Sequence, residues 1–185
     1  MKKIDATNHF LMATSGGSSS SLFANSIIYI CRHDESGAFG IIINKPSKTR
    51  VVELLKSLKI SGIKDQGQMI MHGGPVKQEQ VFILHSCPND YEVTIKVGDE
   101  IGVTLSRDIL TAIAEKRAPE KMLFACGYAG WESGQLEEEI IENSWLVLPA
   151  AADIIFDIPP PIRLEEATRR FGFELDNFSG MKGHA

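Results

Sequence analysis

Residues 124–149 read FACGYAGWESGQLEEEIIENSWLVLP. The segment holds both tryptophans of the chain, Trp131 and Trp145, together with Cys126 and the glutamates Glu137, Glu138, Glu139 and Glu142. It reads as the end of a strand, a glycine-rich turn through Gly127, Gly130 and Gly134, a short acidic helix, and a second strand beginning near Trp145. Leu136, Ile140 and Ile141 fall at helical spacing and give that helix an apolar side. Immediately upstream, 121–126 is an apolar run that brings a buried strand into the turn.

Working outward, most of the remaining apolar runs are short and paired. SIIYIC (26–31) and AFGIII (38–43) flank the turn-forming RHDESG (32–37) and read as a hairpin buried on both faces. Asn44-Lys45-Pro46 ends its second strand, because proline cannot donate to a ladder. Further strands are expected at 10–14, 69–72, 81–86, 91–97 and 101–105; the alternation of Glu92, Val93, Thr94, Ile95, Lys96 and Val97 marks a strand wet on one face. Helices are expected at 49–59, from an N-cap at Ser106 to about Lys116, and at 164–171. Hairpins in succession with few helices define an α+β fold, a twisted and largely antiparallel sheet covered by three or four helices. Residues 1–173 read as one domain, with a flexible serine-rich segment at 15–21 (SGGSSSS) and a frayed tail at 174–185.

At 185 residues and 43% hydrophobic, 23% charged composition, the chain can bury an ordinary core. Three cysteines, Cys31, Cys87 and Cys126, lack CxxC spacing, so neither a disulfide framework nor a zinc ribbon is indicated and a reducing cytoplasm is the expected home. No apolar run approaches membrane-spanning length. A net charge of −5 argues against direct nucleic-acid binding, which needs a cationic surface. Charge is nonetheless uneven. Residues 45–64 carry six bases (Lys45, Lys48, Arg50, Lys56, Lys59, Lys64) against Glu53, while 131–157 carries seven acids and no base. These are either solvated faces that partly neutralise one another or a patch for an anion or partner.

GAFGIIINKP (37–46), GGPV (73–76), FILHS (82–86) and above all GYAGWESGQLEEEIIENSW (127–145) followed by Pro149 closely resemble the AlgH/YqgE family of bacterial proteins. The likeness runs from about residue 9 to 172. It implies an α+β domain whose sheet bends towards a pseudo-barrel, and a protein without an assigned activity, named for a member proposed to regulate transcription. One departure is visible: relatives usually carry a proline- and acid-containing segment before the first hairpin, where this chain has 15–21.

Several residues are candidates for chemistry. A strand, a glycine turn and a helix can cradle phosphate. Here there is no GK[ST] or GxGxxG, and Glu137, Glu138 and Glu139 in the first helical turn would repel the anion. The same glutamates, with Asp153 and Asp157, could hold a hard cation, although a solvated helix face is the plainer reading. Gln135 and Glu137 belong to the family-matching GQLE and can reach back over the turn to ligand or to backbone. Cys126 sits where a nucleophile could, with His72 and His85 at strand ends as bases; a buried, inert thiol is the alternative. His9, His33 and His184 read as surface or turn residues. Asn44 and Lys45 can meet a carboxylate or phosphate, or else Asn44 binds backbone while Lys45 pairs with an acid such as Glu137.

The expected function is therefore a non-enzymatic binding or regulatory domain, a monomer or weak dimer, without cofactor or metal. Its partner is a protein or small molecule held by Asn44, Lys45, Gly73, Gly74, Gly127, Gly130, Trp131, Gln135 and Glu137. The alternative is a hydrolase or transferase whose pocket the same three motifs form.

Overall fold

Apolar runs set the strands, and in the computed structural model, which describes residues 4–14, 21–60, 65–86 and 91–172, they join into one sheet. In chain order these are β1 (His9–Ala13), β2 (Ile27–Asp34), β3 (Gly37–Ile42), β4 (Pro46–Arg50), β5 (Met69–His72), β6 (Val76–Ser86), β7 (Thr94–Val97), β8 (Ile101–Thr104), β9 (Met122–Trp131) and β10 (Trp145–Pro149). The helices are α1 (Val51–Ser57), α2 (Asp108–Ala114), α3 (Gln135–Ile141), α4 (Ala152–Phe156) and α5 (Arg163–Arg170), with 3-10 turns at Ser21–Phe23 and Pro160–Ile162. Residues 15–20 of the serine-rich segment, the tail 174–185, Lys64, Cys87 and His184 lie outside the described residues.

The main path of the sheet is β10-β1-β2-β3-β9-β6-β8-β7, with β5 added to β9 in parallel and β4 to β5. Every other pairing is antiparallel, and the sheet curls into a half-barrel whose strands β2 and β7 approach each other. Curling explains why the hairpin β2–β3 is buried on both faces. Ile27, Tyr29 and Cys31 turn inward onto Phe10, Phe39, Phe82 and Leu84, beneath α4 and α5. Ile28 and Ile30 turn outward under Trp131, Trp145 and Leu136. A third apolar cluster packs α1 and α2, through Val51, Leu55, Ile109 and Ile113, on Ile70, Ile83 and Phe124. Each such side chain taken from water contributes roughly 1.5–3 kcal/mol before entropy is set against it.

β9 is the axis of this arrangement. Its first half, from Met122, pairs with β6, and its last three residues pair with β3 at Ala38↔Trp131, Phe39↔Gly130 and Gly40↔Ala129. On its other edge β9 changes partner at Gly127, from β5 (Met71↔Ala125, His72↔Cys126) to β3; Gly127 has a φ of +75° and stands opposite a break in the β6 register between Val76↔Tyr128 and Val81↔Cys126. The turn expected from Gly127 to Gly130 is therefore a bend within a continuous strand, and the actual turn lies at 132–134. β4 was not expected either, since PSKTR carries no apolar alternation, and α4 adds a short helix to the expected set.

Arg163, at the start of α5, is 5% exposed and ties that helix to the end of the hairpin. Its Nε donates to the Ile158 carbonyl at 2.8 Å and Nη1 donates to the Ile43 carbonyl. Burial lowers its pKa to about 10, which leaves the guanidinium charged at neutral pH. Among the described residues no helix is long and apolar enough to cross a membrane.

Candidate functional site

The glycines of the candidate set are occupied by backbone contacts. A Cβ on Gly73 would lie 2.3 Å from the Gly127 carbonyl oxygen, one on Gly74 would lie 2.1 Å from the carbonyl carbon of Tyr128, and one on Gly127 would lie 2.4 Å from the Gly74 oxygen. Gly73 N donates to the Cys126 carbonyl and Ile42 N to the Gly73 carbonyl, both at 2.8 Å. Two chain segments thus touch backbone to backbone, and glycine is what permits it. Gly130 is less tight, its nearest neighbour being the Tyr128 ring at 3.0 Å.

The other end of β9 is a closed cluster. The Trp131 and Trp145 indole N–H groups both donate to Glu139 Oε2, at 2.8 and 2.6 Å, and Gln135 Nε2 donates to Oε1 of the same carboxylate at 2.9 Å. Gln135 does reach back across the turn, but to backbone: its Oε1 accepts the Glu132 N–H at 2.9 Å. The two indoles meet edge to face at 5.8 Å and both contact the Phe23 ring.

Glu137 does not pair with Lys45. Its Oε2 lies 3.2 Å from His33 Nε2. His33 Nδ1 accepts the Ala6 N–H at 3.0 Å, so in the neutral ring the proton is on Nε2, without hydrogen-bond geometry towards that carboxylate oxygen. His33 is 8% exposed, not the turn residue expected from the sequence. Asp153 binds Arg170 and Asp157 binds Lys121, and among the described residues the acids of 131–157 neither converge on one point nor form an ion pair with the bases of 45–64. Within that basic segment Arg50 pairs with Glu53 and Asp65. Among the described residues no group of three metal-ligating side chains is assembled.

What remains open is a cleft of about 690 Å³ in front of β5. Lys45, His72, Gly74 and Cys126 line it, together with apolar residues from the 3-10 turn, β3, α1 and β5. The Lys45 ammonium donates to the Leu22 carbonyl at 2.8 Å, and the loss of water around it lowers its pKa. No aspartate or glutamate lines this cleft among the described residues. Asn44, beside it, is fully committed to backbone, accepting the Ile27 N–H at 2.9 Å and donating to the Asn25 carbonyl at 2.8 Å.

Cys126 lies within β9, not at a strand end, and is the parallel-strand partner of His72. Desolvation pushes its thiol up, away from the thiolate a nucleophile needs. His85 plays no part here. It is fully buried, with Nδ1 donating to the Ser86 carbonyl at 3.2 Å and Nε2 2.8 Å from Thr104 Oγ1, and it pairs in register with Met122, four residues before Cys126. Sequence reasoning missed the apolar wall of the cleft and its polar residues Ser47, Thr49 and Gln78; part of that wall is the pair Leu22 and Phe23. Their one signal is an apolar pair standing directly after a run of serines.

A second cleft, of about 700 Å³, lies on the α4–α5 side. It mixes Asp65, Glu120 and Asp157 with Lys121 and Arg163, and of the candidate residues it includes Asp157 alone among the described residues.

The molecule is thus an α+β protein with a half-barrel sheet and one acid-free cleft beside its central strand. The chain belongs to the AlgH-like family, whose model (DUF179) matches residues 10–176. It is similar to a UPF0301 protein of Nitrosococcus oceani, 42% identical over 180 residues and 96% of both chains. A UPF0301 protein of Shewanella oneidensis is 41% identical over 183 residues, 96% of this chain and 97% of the other. The solution structure of the AlgH protein from Pseudomonas aeruginosa is 39% identical, with a TM-score of 0.78 over the full length of both chains. A crystal structure from Corynebacterium diphtheriae, 22% identical, has the same fold with a TM-score of 0.75 over 98% of this chain and 95% of that one.

Proposed function

We propose that residues 1–173 act as one non-enzymatic binding domain in the cytoplasm, and that the contact site is the cleft formed by Lys45, His72, Gly74 and Cys126. The domain is proposed to act as a monomer or weak dimer. The observation that carries this reading is Lys45: a partly desolvated ammonium, bonded to one carbonyl, in a largely apolar cleft without an acid among the described residues. A cation so placed carries a desolvation cost that a bound acceptor offsets. The regulatory part of the proposal rests on the family alone. In it, gene expression responds through the ligand or partner of this cleft and not through DNA contact.

Two measurements test it. In a 15N-labelled chain titrated with a panel of small anions and neutral compounds, perturbed amide signals should concentrate at Lys45, His72, Gly74 and Cys126; a set centred on the second cleft, or none, counts against the site. In gel-shift titrations over several salt concentrations the chain should not retard DNA even at low salt.

The second reading, a hydrolase or transferase, draws on one observation, the adjacency of His72 and Cys126 across β5 and β9. It requires a thiolate. Iodoacetamide should alkylate Cys126 no faster than it alkylates free glutathione at neutral pH; faster alkylation, with a burst of p-nitrophenol from p-nitrophenyl acetate that is lost in Cys126→Ser, would replace the binding reading by the enzymatic one.

A further inference from the structure

We infer that the ligand of the Lys45 cleft is a small amphipathic monocarboxylate, its head group on the Lys45 ammonium and its apolar body along Leu22, Phe23, Ile42, Leu54 and Ile70. This inference rests on the binding reading above and adds the chemical class.

The head group follows from the donors. An ammonium has three N–H bonds, and the Leu22 carbonyl takes one at 2.8 Å, which leaves two for an acceptor. Among the described residues Lys45 is the one lining residue with a permanent charge. His72, exposed beside it, offers a single N–H when neutral. No arginine fork and no helix N-terminus of useful length adds a second positive centre, so one negative charge is matched and a phosphate dianion is left half-compensated. A carboxylate has the right charge and two acceptor oxygens for those donors.

The body follows from the walls. Five branched or aromatic side chains face a volume of about 690 Å³, within the range of roughly 300–1,000 Å³ in which proteins enclose small organic ligands. Leu22 is 60% exposed although it lines this cleft, so an alkyl chain laid along it removes apolar surface from water on both sides of the contact. A charged or polar ligand body would gain nothing from these five side chains, the polar lining residues being Ser47, Thr49 and Gln78 besides Lys45 and His72.

The site also carries its own reporter. Phe23 lines the cleft and packs on both indoles, with ring centroids 6.4 Å from Trp131 and 5.6 Å from Trp145. These are the two tryptophans of the chain, so occupancy against Phe23 is read as a change in intrinsic emission.

The full chain should be titrated with octanoate, hexanoate, 1-octanol and inorganic phosphate, following tryptophan emission. Octanoate is expected to bind about 16-fold more tightly than hexanoate, roughly fourfold for each methylene, and about tenfold more tightly than 1-octanol. In Lys45→Met the octanoate-to-octanol ratio should fall to about one while octanol affinity stays within about twofold. An emission spectrum and melting temperature like those of the parent show that the variant is folded. Leu54→Gln, which leaves the charge in place, should weaken both eight-carbon ligands by a similar factor of about ten or more. Equal affinity for octanoate and octanol overturns the carboxylate and leaves the cleft standing as a binding site. Phosphate binding more tightly than octanoate overturns both head and body. Silence towards all four compounds, with unperturbed amide signals at Lys45 and His72, overturns the cleft reading itself.

Discussion

Two regions at opposite ends of the stretch around β9 use similar residue types to opposite effect. At the Trp131 end, one carboxylate, Glu139, accepts from both indoles and from Gln135, and Glu137 faces a buried histidine. The indole and amide donors there meet the Glu139 carboxylate, and these residues are spent on holding α3 against β9 and β10. At the Cys126 end, a lysine, a histidine and a thiol share an apolar cleft, and no carboxylate answers the lysine among the described residues. Motif density marks the first region, whereas unspent binding capacity marks the second. The distinction separates what builds the fold from what the fold presents, and it gives each region a different response to mutation.

The largest effect is expected where the two regions join. Gly127→Ala places a methyl group 2.4 Å from the Gly74 oxygen at a backbone φ of +75°. It should cost about 3–5 kcal/mol in denaturant unfolding, since the left-handed conformation alone accounts for about 1–2 kcal/mol and the close contact cannot relax without parting β5 from β9. Gly134→Ala is the control. Its φ is +79° but its Cβ meets nothing within 4 Å, so about 1 kcal/mol is expected. Equal costs for the two would mean that the backbone contact between 73–74 and 127 does not organise the sheet.

Next in size is the closed cluster. Glu139→Ala leaves two largely buried indole N–H groups without their acceptor and should destabilise by about 2–4 kcal/mol, with altered tryptophan emission. Glu139→Gln keeps a carbonyl acceptor and should cost about 1 kcal/mol. A Glu139→Ala variant as stable as the parent would place Glu139 among solvated acids after all and erase the contrast between the regions.

The part of this contrast that the sequence displays is governed by range. The β2–β3 hairpin, α1, α2 and α5 follow from apolar spacing and turn residues inside short windows, and their observed bounds lie close to those expected. Gly127 was misplaced into a turn because its reason is a contact more than fifty positions away, with Gly73 and Gly74. Locally, a glycine at positive φ looks the same whether it permits a turn or a close approach. The Glu137–His33 pair spans the sheet between α3 and β2, so neither window contains both partners. β4 hid for the opposite reason, an exposed polar strand having no alternation to detect. Lys45 was visible as a candidate, yet its significance is an absence of nearby acid, which no local pattern encodes.

A pH titration reads out a closed histidine. Burial lowers the His85 pKa, so the unfolded chain takes up that proton more readily than the folded one. The stability tied to neutral His85 is therefore complete above about pH 6.5 and is lost as the pH falls below it towards the depressed folded value. The slope from this one group stays under about 1.4 kcal/mol per pH unit. Unfolding free energies measured from pH 7.5 to 5 should show that decline in the parent and a flatter profile in His85→Gln. Asp153 and Glu166, held below the usual carboxylate range by arginine partners, add their own loss only at lower pH. A His85→Gln profile as steep as the parent's would assign the slope to another group.

The smallest stability effect is expected from Lys45, the residue on which the proposed site rests. Replacing Lys45 by methionine removes one hydrogen bond to the Leu22 carbonyl, worth about 1 kcal/mol or less at a partly exposed site. It also removes the cost of holding an ammonium with too little water and no counter-charge, a cost already evident in the downward shift of its pKa. The two changes oppose each other, and the thermal unfolding of Lys45→Met should fall within about 0.5 kcal/mol of the parent or slightly above it. A structural lysine behaves otherwise. If Lys45 served the fold as Glu139 does, its loss would cost on the order of 2 kcal/mol and would loosen the 3-10 turn at Ser21–Phe23, shifting tryptophan emission through Phe23 without any ligand present. Stability retained and unliganded emission unchanged, together with the loss of carboxylate preference, is the combination that only a binding residue produces.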